Sequence, residues 1–496
     1  MKKKYYLAID LKNTSGSFTL SEFSPTCLNL TSLGEFPIEP VRQNGRLCWD
    51  MESIFKEIKA GITRATMACG SQLVSVGITS WGTDFGLLDE NGKLVQNPLC
   101  YYEQQQSEIC SSFKKLVPAE TLYRMIGVIP GNLSSLYELI ALKKAQPEVI
   151  EAAKMYLPIP CILNYWLTGI AAADRTIASN HDMYLANAPT WEKTLITSMG
   201  LPPDIFPPIR IPGTVLGPIQ DSLKEELRLQ GDVKVILPGA LDSACALSSI
   251  PSEGGNTAFA YAGTWSTIGS VVRKPLLTTQ AMKSGFKNNS SSSGGINMVR
   301  CTPCIGLLDE CRKMWGKEDG AAIPSEELSE MAFNGKPFSA VIDIRDSIFL
   351  ESNNIPSAVL DYCRKTQQAE PESREDIVRL LMEGIALWYR QVITSLEELS
   401  GERIYCLHIA GGGAYMHMLN RLVANALNRR VLAGPKLAKS FGNVMMQMIA
   451  MGDVSSLVEG KDIVRKSFLE IVFDPVGEDG WDQALGKLEM LQASNS

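Results

Sequence analysis

The chain has 496 residues, 45% of them hydrophobic and 20% charged, with a mean hydropathy of zero and a net charge of −7. At about 150 residues per domain, that length predicts two to four domains, each able to bury a full core. The acidic balance excludes a nucleic-acid binder that works by global charge. Twelve cysteines without regular spacing read as a reduced, cytoplasmic protein rather than a disulfide scaffold.

Three uncharged stretches, 65–83, 155–173 and 254–272, reach membrane-spanning length, but glycine, proline or polar residues interrupt each, so no span is expected. Lys2 to Lys4 precede an apolar stretch that stops at Asp10, too short for a secretory signal. Residues 4–10 (KYYLAID) are a predicted buried strand ending in an acid. The polar turn Lys12-Asn13-Thr14-Ser15-Gly16 follows, and SFTLSEF returns as the second strand of a hairpin. Asp50 is placed to cap a helix ending near residue 67. LVSVGI (73–78) is a further strand that opens into Ser80-Trp81-Gly82-Thr83-Asp84, and FGLLD-ENGK-LV reads as a hairpin about Asn91-Gly92.

The pattern of strand, hydroxyl-glycine turn and strand returns about 250 residues later, in TAFAYAG (257–263), Gly263-Thr264-Trp265-Ser266 and TIGSVV. It predicts two related halves, with phosphate-binding hairpins facing each other across a cleft. A helix over 375–398 leads to a strand at 405–410, then Gly411-Gly412-Gly413 and a helix to about Leu427. RVLAG (430–434) is a short strand, and Gly442 to Met451 a helix. The run NNSSSSGG (288–295) reads as a mobile loop, and the last forty residues as an appended helix and tail.

Several residues admit more than one role. A strand opening through three glycines into a helix brings backbone N–H groups close to a ligand, or is simply a turn. Gly263-Thr264 offers an amide and a hydroxyl to a phosphate, or is an ordinary hairpin turn. Asp242, in Leu237-Pro238-Gly239-Ala240-Leu241-Asp242-Ser243-Ala244, is a helix cap or a general base at a strand end. Asp84 is a turn former or a hydrogen-bond acceptor for a polyol. Cys301-Thr302-Pro303-Cys304 has a redox spacing without a thioredoxin-like context and is expected to be a pair of buried thiols. His181, His408 and His417 show no metal-ligand spacing.

Taken in order, these segments resemble the FGGY family of carbohydrate kinases over about residues 5–475. The specific stretches are the AID…SG hairpin, VGITSWGTDFGLLDENGKLVQNP, LYRMIGVIPGNLSSLYEL, LPIPCILNYWLTG, MGLPPDIFPPI, AYAGTWSTIGS and HIAGGGAYMHMLNRLVANAL-x4-LAGP-x6-GNVMMQ. The resemblance implies an α/β fold of two actin-like, ribonuclease-H-like domains with a nucleotide and sugar cleft between them. The expected division is a sugar-binding domain over 1–248, a nucleotide-binding domain over 249–475 and a tail over 476–496, each domain opening with a hairpin on a mixed five-stranded sheet.

The implied reaction moves the γ-phosphoryl of Mg·ATP to a hydroxyl of a ketose or polyol, so ATP and Mg2+ are the expected cofactors. By resemblance Asp242 is the base, and Gly82, Asp84, Leu241, Ser243 and Tyr102 line the sugar. Lys12, Thr14, Ser15, Thr264, Gly411, Gly412, Gly413 and Asn443 contact the nucleotide, with adenine near Ala414 and Asn443, and Asp10 serves the metal. The expected partners are a small-molecule sugar and ATP, with neither nucleic acid nor membrane, in a monomer or homodimer.

The chain departs from the family at these sites. Lys12 stands where the family has Gly after Asp-Leu, and Ser17 where it has Arg after Ser-Gly. The family's His-Asp-Thr is Leu241-Asp242-Ser243, which replaces a sugar-contacting polar group by an apolar one. The nearest members have Asp where Thr79 stands, and Tyr-Arg-Asp where this chain has Tyr101-Tyr102-Glu103. The alternative reading is therefore a catalytically impaired homologue that binds a sugar or a partner.

Overall fold

The structure is a computed structural model that describes residues 3–101, 107–131, 133–251, 256–477 and 479–494. The chain folds into two compact units and passes between them more than once. The first comprises Met1–Pro251, Val271–Met298 and Lys439–Ser467, and the second Ser252–Ser270, Val299–Ala438 and Phe468–Ser496.

The first unit is built on a six-stranded sheet in the order Thr214–Pro218, Lys234–Leu237, Leu73–Thr79, Tyr5–Leu11, Ser15–Phe23, Leu28–Pro37. Tyr5–Leu11 pairs antiparallel with Ser15–Phe23, Asp10 opposite Ser17, and parallel with Leu73–Thr79, Asp10 opposite Thr79. Lys234–Leu237 continues the parallel set, and Thr214–Pro218 closes the edge antiparallel. Leu7, Ile9, Val76, Ile78, Val235 and Leu237 have no exposed surface, as strands covered on both faces require. Helix Met51–Cys69 is capped by Asp50, whose Oδ1 accepts the Ser53 N–H at 3.1 Å.

The second sheet has seven strands, in the order Lys287–Ser290, Ile296–Pro303, Trp265–Val272, Thr257–Ala262, Cys406–Ala410, Arg430–Ala433, Ile471–Phe473. Thr257–Ala262 is antiparallel to Trp265–Val272 and parallel to Cys406–Ala410. Arg430–Ala433 is parallel to the latter, and Ile471–Phe473 closes the edge antiparallel. The plan repeats that of the first sheet. In each unit an antiparallel edge strand extends the expected five-stranded sheet, and it pairs a backbone row that would otherwise face water.

Two expectations are corrected here. Residues 288–292, read as part of a mobile loop, are buried, with Lys287–Ser290 a strand. Three of these residues find partners inside the unit: Asn288 Nδ2 donates to Gly127 O at 3.1 Å, Ser290 N to Ser179 Oγ at 2.9 Å, and Ser292 Oγ to Ala244 O at 3.2 Å. Cys301 is exposed, so only Cys304 of the expected buried pair is inside.

Helix Ala438–Ala450 belongs almost wholly to the first unit. It lies so close to helix Asp242–Ser248 that any side chain at Gly442 would strike Cys245 O. Asn443 Nδ2 donates to Gly77 O at 3.0 Å, and Gln447 joins Leu7 O at 3.0 Å and Ser75 Oγ at 2.7 Å. These bonds fix the helix across the parallel strands.

Candidate active site

Asp10, the last residue but one of its strand, is 2% exposed. Its Oδ1 accepts the Thr79 hydroxyl at 2.7 Å and its Oδ2 the Ser440 hydroxyl at 2.7 Å. Thr19 Oγ1 lies 3.2 Å from Ser440 Oγ and completes the set. The Thr79 and Ser440 hydroxyls thus orient this carboxylate. The turn beyond Asp10 exposes Lys12 and Thr14 and is closed by Lys12 N–H donating to Ser15 O at 2.7 Å.

Asp242 is the first residue of its helix, with Leu241 at the cap position, so it is not the cap. The adjoining backbone is tied from two sides. Ser80 N donates to Ala240 O at 2.9 Å and Asp242 N to Ser80 O at 3.0 Å. Ala240 N donates to Asp174 Oδ2 at 2.5 Å and Leu241 N to Thr176 Oγ1 at 3.2 Å. The Asp242 side chain keeps 26% of its surface exposed, enough to meet a substrate. Ser243 N donates to its Oδ1 at 2.6 Å, and Lys439 Nζ, 9% exposed, stands 4.0 Å from its Oδ2. Burial pushes the carboxyl above the ordinary carboxylate range, Asp10 adds to that, and Lys439, the Ser243 N–H and Lys12 pull it back. A carboxylate of raised basicity, steadied by cations, suits proton abstraction from an alcohol.

Asp84 has a different environment. It is 1% exposed, and its Oδ2 accepts two indole N–H groups, from Trp49 at 2.6 Å and Trp81 at 2.9 Å. Burial pushes its carboxyl up to about 7. Its Oδ2 is thus turned to this pair of rings, whose centroids are 4.8 Å apart, while Oδ1 lies 3.4 Å from the Thr83 hydroxyl. Gly82 borders Leu241: a Cβ there would collide with the Asn180 carboxamide and lie 3.1 Å from Leu241 Cδ1. Tyr102 lies outside the described residues.

In the second unit Thr264 is exposed at its hairpin turn, held by Cys304 N and Gly306 N, which both donate to Thr264 O at 3.1 Å. The glycine run packs on the end of the same strand. Gly411 has φ 88° and sits against the Tyr261 ring, and a Cβ on Gly413 would be 2.5 Å from Ala262 Cβ. Gly412 is exposed and Ala414 fully buried. The structure therefore brings Thr264 and Gly411 to Gly413 to one end of one sheet. Asn443 belongs to the first unit, has no exposed surface, and spends its amide on Gly77 and Gln447.

Sequence reasoning missed Thr79 as a partner of Asp10, and it missed Ser440, Lys439, Asp174 and Thr176 altogether. Asp174 is followed two residues later by Thr176, a local capping signal that the structure bears out, with Thr176 N donating to Asp174 Oδ1 at 2.8 Å. Nothing local connects it to Ala240, 66 residues away.

Known proteins bear on this arrangement. The chain matches the N-terminal domain of the FGGY family of carbohydrate kinases over residues 5–248 and the C-terminal domain over 258–451. It belongs to that family, and its activity class is ATP-dependent phosphoryl transfer to a sugar. Among curated relatives, the rhamnulokinase of Bacteroides thetaiotaomicron is 31% identical over 97% of this chain and 98% of its own length. That of Halalkalibacterium halodurans is 29% identical over 94% and 97%. The xylulose kinase of Lactobacillus acidophilus shares the fold with a TM-score of 0.80 at 17% identity, covering 99% of this chain and 97% of that one. Glycerol kinase of Plasmodium falciparum gives 0.76 at 16%, covering 99% and 97%. Among the described residues no helix is long and apolar enough to cross a membrane.

Proposed function

We propose that the chain phosphorylates L-rhamnulose, or a ketose close to it, with Asp242 as the general base. The observation that carries this reading is the carboxylate itself: accessible, of raised basicity, at the start of a helix and held by backbone bonds on both sides. The sugar hydroxyl gives its proton to Asp242 as its oxygen forms a bond to the γ-phosphorus and the bond to the β-phosphate oxygen breaks. Thr264 and the Gly411 to Gly413 run meet the nucleotide phosphates through amide and hydroxyl donors, while Gly82, Leu241 and Ser243 border the sugar.

Asp10 would hold Mg2+. Each oxygen of Asp10 accepts one hydroxyl and retains acceptor capacity, and this hard oxygen set fits an ion that takes one or two carboxylates with phosphate oxygens and water. Bound with ATP, the ion supplies charge neutralisation at the phosphates. Lys439 and Lys12 add fixed positive charge beside Asp242. All twelve cysteines are free, which supports a reducing, cytoplasmic setting. We place the working form as a monomer or homodimer that needs neither nucleic acid nor membrane.

The test is ADP release with L-rhamnulose and a panel of ketoses and polyols, alongside thermal shifts of each sugar with and without Mg·ATP. Sugar-dependent ADP release carries the proposal. Ligand binding without turnover on any of them overturns it in favour of a binding protein.

A further inference from the structure

The turn that follows helix Arg175–Ala178 carries Asn180, beside the sugar-lining residues but not among them. The turn is rigid. Asn180 N donates to Ile177 O at 3.0 Å and His181 N to Ala178 O at 3.1 Å. His181 is fully buried, and the Tyr156 hydroxyl reaches its Nδ1 at 2.6 Å. Ser179 Oγ donates to Thr176 O at 2.9 Å. From the other end, Asp174 and Thr176 hold the amides of Ala240 and Leu241. One short segment thus sets both the backbone before Asp242 and the place of Asn180.

The Asn180 side chain is half-buried, lies against Gly82, and makes no side-chain hydrogen bond to a described residue. Gly82 is what leaves room for it, since a methyl group there would collide with the carboxamide. The same methyl position lies 3.1 Å from Leu241 Cδ1. Asn180 therefore presents one acceptor and two donors beside Leu241, the residue before Asp242.

From this juxtaposition we infer that Asn180 is a specificity-determining residue that hydrogen-bonds a hydroxyl of the sugar, in the place left apolar by Leu241. The inference rests on the ketose-kinase reading. A polar group built to meet a hydroxyl discriminates against substrates that lack it, because the group is then left without a partner.

Calorimetric titration of L-rhamnulose and D-xylulose, without nucleotide, tests it on the wild type, Asn180→Ala, Gly82→Ala and the Asn180→Ala, Leu241→His double variant. The expected result is a loss of about tenfold or more in affinity for the ketose in both single variants, about 1.4 kcal/mol. ADP affinity and the unliganded melting midpoint should stay unchanged in Asn180→Ala, and the double variant should recover part of the loss. With turnover, the loss appears in KM for sugar and not in KM for ATP. Unchanged ketose affinity in Asn180→Ala overturns the inference while leaving the kinase reading intact, and so does an equal loss for ketose and ADP. A wild type that binds neither ketose overturns both.

Discussion

The two sheets of this protein have one strand plan and end their strands in different chemistry. In the first unit the central strands lead into Asp10, into Thr79 and Ser80, and through a short turn into Asp242. In the second the corresponding strands lead into Ala262, into Ala410 and the glycine run, and into Ala433 and Gly434. One unit brings carboxylates and hydroxyls together at its strand ends. The other has small residues and glycines there. In the reading proposed above, the first carries the base and the sugar contacts, and the second meets the nucleotide phosphates through backbone.

The largest test of that division is Asp242→Asn. The change keeps size and removes the base, so turnover should fall roughly 10²-fold or more while sugar and ADP affinities persist. Steady-state kinetics with calorimetry checks this, and unchanged turnover would remove Asp242 from the reaction.

The converse change in the second unit is Gly413→Val. The added side chain meets Ala262, because a Cβ at position 413 would already stand 2.5 Å from Ala262 Cβ. Overpacking of this kind costs about 1–3 kcal/mol. The melting midpoint should drop and ADP affinity weaken by an order of magnitude, while ketose affinity in the first unit is retained. Loss of both ligands together would contradict separate duties.

Asp84 sharpens the comparison within the first unit. Its carboxyl is harder to ionise in the fold, at about 7 against an ordinary 3.8. Between those values the native state keeps a proton that the unfolded chain has lost, so stability falls as pH rises from about 4 to about 7 and is level beyond. Asp84→Asn should flatten that fall, by a few kcal/mol at most, in thermal midpoints measured across the window. A wild type and variant with parallel pH profiles would show that burial does not disfavour the charge. The smallest effect is expected at the exposed Lys12: Lys12→Ala should weaken ATP binding a few-fold, as one solvated cation is lost. Lys12→Gly raising activity instead would show that the side chain obstructs the phosphates.

The elements that local pattern encodes were legible: the two hairpins, the Asp50 cap, the glycine run after Cys406–Ala410 and the long helix, which spans Arg374–Ser400. Apolar alternation, turn chemistry and a capping side chain all act within a few residues, so the chain itself states them. The family's motifs likewise pointed to Asp242 and Thr264 as the residues to test. Tertiary structure alone decided the rest. Ser290 and Ser292 are buried because Ser179 and Ala244 supply their partners, and in isolation such a run reads as solvated loop. Asp84 became a buried acceptor for the Trp49 indole, and Asn443 a tie to Gly77, through contacts 35 and 366 residues apart. Asp10 owes its orientation to Thr79 and Ser440, 69 and 430 residues away. A polar side chain is exposed, paired or catalytic according to what packs beside it. For these residues the neighbour comes from another strand or helix, and no window of the sequence contains both.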